Sequence, residues 1–205
     1  MLDYLDPKFL IQTLGLFGVF AIVFAESGFF FGFFLPGDSL LFTAGLLASQ
    51  DFFHISWLVF GCVAFAILGD NVGYVFGKRV GEKIFTREDS FFFHKKHVAR
   101  AQDFYEKHGK KAIILARFVP VVRTFAPILA GVGKMHYRTF FIYNIIGGIV
   151  WGAGLPLLGF LLGNTIPDID RYIWPIIFLI IFVSILPIIS SYFRAKKDSD
   201  FDMSK

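Results

Sequence analysis

The chain has 205 residues, of which 56% are hydrophobic and 19% aromatic, with 29 phenylalanines and a formal net charge of +4; this balance fits one integral membrane domain and excludes a disordered chain. The basic residues cluster beside apolar segments, so membrane topology and anionic lipid headgroups account for them, and no nucleic-acid motif accompanies them.

Asp3 and Asp6 precede the first basic residue and no small-residue cleavage site follows, so the N-terminus is expected to be retained. Residues 9–25 form an apolar segment only just long enough to cross a bilayer, diluted by Gln12, Thr13, Gly15 and Gly18; it either spans or lies shallow. Residues 26–48 place short apolar arms around the turn Pro36-Gly37-Asp38-Ser39, with Glu26 and Asp38 inside the apolar run. This pattern predicts a re-entrant hairpin, with Asp38 or Ser39 capping a helix that begins near Leu40.

Residues 55–77 are long enough to span, and Gly69, Gly73, Gly77 and Gly81 recur on one helical face, where small residues let another backbone approach closely. Cys62, the single cysteine, lies in this run and reads as a small buried hydrophobe; no intramolecular disulfide or thiolate metal cage can form. Asp70 and Asn71 are secondary polar candidates, placed either at a polar cavity or near the membrane surface. Residues 78–111 carry ten of the twenty lysines and arginines and read as the main cytoplasmic loop. Within it, residues 90–108 have the spacing of a basic amphipathic helix lying on the inner leaflet, and His94, His97 and His108 read as interfacial rather than metal-binding.

Residues 112–132 put Arg117 and Arg123 into an apolar run broken by Pro120 and Pro127. A cation at membrane depth costs about 3 kcal/mol on insertion scales, so such arginines face a polar cavity or a charged partner. Both prolines are expected to interrupt the helix, giving a second re-entrant hairpin, with Gly131 allowing close packing at its end. Two long uncharged helices follow, over 139–167 and 172–193; Gly148, Gly152, Gly159 and Gly163 offer packing surfaces in the first, while Asn144 and Trp151 present polar edges. Residues 196–205 form a polar tail, expected to be disordered and cytoplasmic.

With both basic regions inside, the acidic hairpin enters from outside and the arginine hairpin from inside. The expected fold is thus an all-α integral membrane protein, a single domain over residues 1–195, with two oppositely oriented re-entrant hairpins and an inverted-repeat transporter plan.

Several motifs occur in order: Glu26 with Leu35-Pro36-Gly37-Asp38 and Ala44-Gly45; Gly69-Asp70 with Gly73-Tyr74 and Gly77; Arg117-Phe118 with Pro120, Arg123 and Ala130-Gly131; and Phe140, Asn144, Gly147 and Trp151. Across residues 26–151 the chain resembles the DedA family of bacterial membrane proteins, which is related to the VTT, or SNARE-associated, domain proteins of eukaryotes. The resemblance implies a multi-pass protein of the bacterial inner membrane that supports envelope homeostasis. For some members it implies lipid translocation, including recycling of undecaprenyl phosphate. It also implies that Glu26, Asp38, Arg117 and Arg123 correspond to the family's required charges.

The residues lead to the same four positions. Arg117 and Arg123 suit a phosphate through charge-assisted hydrogen bonds, and Glu26 and Asp38 suit charge compensation or proton uptake. Static ion pairs that only hold the hairpins together are the alternative. The expected function is a flippase for phosphate-bearing lipids, with protons as a candidate coupling ion. Its rivals are a proton- or cation-coupled exporter of small solutes, an intramembrane lipid phosphatase, and a membrane scaffold. An enzyme is not expected, since no histidine lies within either hairpin, His136 coming just after the second, and a phosphatase needs a positioned nucleophile and acid–base partner. No cofactor or metal is expected; membrane lipids are the expected partners, with homo-oligomerisation left open.

Overall fold

The computed structural model describes residues 7–29, 35–86, 111–117, 120–166 and 175. The expected amphipathic helix at 90–108, the last apolar segment at 172–193 and the polar tail lie outside the described residues. Six helices are described: α1 (Pro7–Gly28), α2 (Gly37–Ser49), α3 (Ile55–Thr86), α4 (Lys111–Ala116), α5 (Pro120–Val132) and α6 (Tyr137–Thr165).

α1 is not one rod. Gly15 takes φ 64° and ψ −162°, a left-handed conformation that glycine alone adopts without penalty, and so splits the apolar segment into two arms. Residues 16–28, the arm after the kink, are about 20 Å long at ~1.5 Å per residue, short of a ~30 Å hydrocarbon core.

α2 begins at Gly37, three residues before the expected start, with Pro36 as its N-cap residue. Neither Asp38 nor Ser39 caps it: Ser39 Oγ donates to the Pro36 carbonyl at 3.2 Å, and Asp38 lies inside the first turn. The turn chemistry of Pro36-Gly37 is absorbed into the helix start, which leaves the Asp38 carboxylate for a tertiary partner. From Ser39 to Ala48 every residue of α2 is buried, as an apolar-all-round helix requires.

α3 runs nine residues beyond the expected end at Gly77, and its membrane-length portion is Ile55–Val80. α6 is the second described helix long and apolar enough to cross a membrane. Pro127 does not break α5, which continues from Pro120 to Val132. A single proline forfeits one backbone bond, here to the Arg123 carbonyl, and the buried ring packs 3.3 Å from where a Cβ on Gly73 would stand. Pro120 does mark a break, since α5 starts on it and a proline at the first helical position costs nothing.

Glycines set how closely these helices meet. A Cβ on Gly69 would stand 2.6 Å from the Phe24 carbonyl oxygen of α1, and one on Gly77 would overlap the Ile128 carbonyl of α5. On α6, a Cβ at Gly152 would be 3.1 Å from the Val63 backbone of α3, and Gly159 abuts the Phe42 carbonyl of α2. The packing is reciprocal: α2 lies chiefly on α6, while α5 lies chiefly on α3, and α1 also covers α3. Leu40, Leu41, Ala44, Leu58, Cys62 and Trp151 share the main core, and Tyr74, Ile113, Ala130 and Phe140 form a smaller one. Phe17, Trp57, Phe60 and Leu161 point outward, a distribution suited to lipid.

Candidate functional site

Each charged side chain of the site comes from a helix end or a helix face that the local sequence specifies. Starting α5 on Pro120 places Arg123 in its first turn, and the end of α4 at Ala116 leaves Arg117 just beyond it. Pro36 starts α2 so that Asp38 sits in its first turn, and Glu26 lies in the last turn of α1. Asp70 comes from the middle of α3, directly after Gly69, whose missing side chain brings α1 close.

The two arginines are buried, Arg117 at 4% and Arg123 at 7% exposure, and they do not share the same partners. Arg123 donates from Nη2 to Glu26 and from Nη1 to Asp38. The Trp151 indole donates to the same Asp38 oxygen at 2.7 Å, and its ring lies 4.5 Å from the Arg123 guanidinium carbon. This is a cation stacked on an aromatic face, enclosed by two carboxylates. Arg117 turns the other way. Its Nη2 donates to Asp70 and, at 2.6 Å, to the side-chain carbonyl of Asn144, whose amide nitrogen in turn donates to the Ile67 carbonyl at 3.2 Å. Trp151 stands between the clusters, 6.0 Å from the Arg117 guanidinium carbon.

Asp70 and Asn144, secondary candidates in the sequence, thus belong to the site, whereas Asn71 does not: it donates to the Ile67 carbonyl at 2.7 Å and accepts from the exposed Tyr137 hydroxyl at 3.0 Å. Gly131 is also outside the cluster and serves packing, against the carbonyl of Tyr74 and the backbone of Gly77. Gly37 is inside it, since a side chain there would occupy the position of the Glu26 carboxylate. The sequence places Gly147 in an ordered motif but assigns it no role at the site, where a Cβ on it would stand 2.8 Å from Arg117 Cδ and 2.9 Å from its Nε. The Gly147-Gly148 pair within an otherwise bulky apolar helix was the available signal.

Three carboxylates, Glu26, Asp38 and Asp70, face two guanidinium groups, so a fully ionised site carries one more negative than positive charge. Three buried side-chain polar atoms are without a hydrogen-bond partner among the described residues, and two of them belong to this site: Glu26 Oε2 and Arg117 Nε. Chemically, the arrangement offers two hydrogen-bonding cations in an apolar surround together with acids able to exchange or compensate them.

Residues 35–161 match the VTT domain. The chain is 43% identical to an uncharacterized membrane protein of Mycobacterium tuberculosis (strain H37Rv), over 97% of this chain and 92% of that one. It is 45% identical to protein DedA of Escherichia coli K12, over 87% of this chain and 82% of that one, and 44% identical to an uncharacterized membrane protein of Mycobacterium leprae, over 89% and 84%. No solved structure matches. Matched over more than half its length by the VTT domain and over most of it by these relatives, the chain is a membrane protein of the VTT-domain, or DedA, family.

Proposed function

We propose that the protein moves phosphate-bearing lipids, such as a polyprenyl phosphate, between the leaflets of a bacterial inner membrane, and that it does so without chemical turnover. The observation that carries this reading is the pair of buried arginines set among membrane-length helices, since planar guanidinium groups in a dry surround are strong partners for a phosphate. An apolar groove of about 430 Å³ at the α3–α6 seam, lined by Val59, Phe60, Val63, Ile149, Ala153 and Leu157, suits hydrocarbon. The net surplus of one carboxylate over the two arginines that pair with all three supports proton coupling, because an uncompensated net charge is costly to bury.

A re-entrant, inverted-repeat plan fits the same reading. α1, a break, α2 and the long α3 are echoed by α4, a break, α5 and the long α6, and each half's second short helix packs on the other half's long one. The turns that follow α2 and α5 echo each other as well, with Asp51 at φ 60° and Lys134 at φ 54°. With the basic end of α3 and the loop before α6 on the cytoplasmic side, α6 runs outward, and a last crossing by the apolar sequence 172–193 returns the C-terminus to the cytoplasm.

The test is reconstitution into liposomes carrying a fluorescent polyprenyl phosphate, with and without an imposed pH gradient. Faster leaflet exchange than in protein-free vesicles is expected, lost in Arg117→Ala. Exchange at the protein-free rate under both conditions would exclude the reading.

A further inference from the structure

The two arginines are not equivalent, and the difference assigns a specific exchange to one of them. Arg123 is held on both sides: each terminal nitrogen meets a carboxylate and its face is covered by Trp151. Arg117 has its contacts concentrated on Nη2, which serves both Asp70 and Asn144, while its Nε has no partner among the described residues although the side chain is buried. The absence of a side chain at Gly147 leaves the backbone of α6 as the wall beside Nε and Cδ.

A phosphate that binds a guanidinium in two-pronged fashion along its Nε–Nη2 edge takes one hydrogen from each nitrogen. At Arg117 that edge offers the unpartnered Nε–H, but both Nη2 contacts are occupied, so one of the two present acceptors must leave. Asn144 is anchored from its other side by the bond to the Ile67 carbonyl and carries no charge. Asp70 makes its side-chain contact to Arg117 and, among the described residues, has no second bond to hold it there. It is also the acceptor that a phosphate repels.

We infer that Arg117 is the arginine that receives the phosphate, and that Asp70 is its exchangeable counter-ion, displaced when the phosphate takes the Nε–Nη2 edge and returning when it leaves. Arg123 with Glu26 and Asp38 then remains paired and holds α1, α2 and α5 together throughout. This assignment rests on the lipid-phosphate reading above and adds the identity of the binding arginine and its competitor.

The experiment is equilibrium binding of farnesyl phosphate to the purified full-length protein in detergent. Asp70→Asn keeps a hydrogen-bond acceptor beside Arg117 but removes the competing charge, so affinity should rise by about tenfold. Asp70→Glu restores the charge and should bring affinity back toward wild type. Asp38→Asn, which acts on the doubly paired arginine, should raise affinity far less. If wild type binds and Asp70→Asn binds no tighter, or if Asp38→Asn tightens binding equally, the exchange is wrong while the functional reading stands. If wild type does not bind at all, the functional reading falls and this inference with it. Should Asp70→Asn fail to fold, Arg117→Lys and Arg123→Lys decide the matter: lysine has no Nε–Nη2 edge, so the first must lose most of the affinity and the second little, and equal losses overturn the assignment.

Discussion

Removing Arg123 leaves Glu26 and Asp38 facing each other in an apolar surround without their shared cation. Breaking a buried pair by deleting one partner typically costs about 3–5 kcal/mol, since the stranded charge keeps its desolvation penalty. Arg123→Ala should therefore lower the thermal unfolding midpoint sharply in a detergent melt. Arg123→Lys retains a charge and one or two of the contacts, and should fall between alanine and wild type. A melt of Arg123→Ala indistinguishable from wild type would show that the enclosed guanidinium does not hold the short helices in place.

At the scale of the element, the kink in α1 separates two causes that usually arrive together. Among the described residues nothing outside the local backbone lies within 4 Å of where a Cβ on Gly15 would stand, so a side chain there meets no steric obstacle from them, yet φ is +64°. Gly15→Ala should thus cost only the backbone penalty of about 1–3 kcal/mol, and Gly15→Asn as much, because asparagine tolerates positive φ only with ψ of about +47° and here ψ is −162°. Equal stability of all three proteins in the same melt would mean that the kink is not maintained. Gly77 presents the opposite case, since its φ is ordinary but a side chain would overlap the Ile128 carbonyl, and any substitution there must push α5 off α3.

For the whole molecule, the orientation proposed above makes the two ends of α3 chemically distinguishable from outside the cell. Cys62 is fully buried, so it gives little background to an impermeant maleimide. Asp51→Cys, at an exposed turn before α3, should be labelled in intact inner-membrane spheroplasts, whereas Lys78→Cys, exposed near the other end, should react only after permeabilisation. The reverse pattern would invert the molecule, and labelling of both from outside would contradict a spanning α3.

The sequence by itself determined the membrane class, the close-packing role of Gly69, Gly73 and Gly77, the existence of the long helix now seen at Tyr137–Thr165, and four charged residues too costly to bury without partners. Those features are local: hydropathy, spacing and the cost of a charge in hydrocarbon are read from neighbours in the chain. Only the tertiary structure decided who pairs with whom. Arg117 and Arg123 are six positions apart, yet the break before α5 sends one to Asp70 and Asn144 on α3 and α6 and the other to Glu26 and Asp38 on α1 and α2. It also decided that Pro127 stays inside a helix, that Asp38 forgoes capping, and that Asn71 faces away while its neighbour Asp70 faces in. These outcomes turn on helix rotation and on contacts between residues 27 to 113 positions apart, where the energy of an ion pair or a backbone contact outweighs the local preference of any one residue.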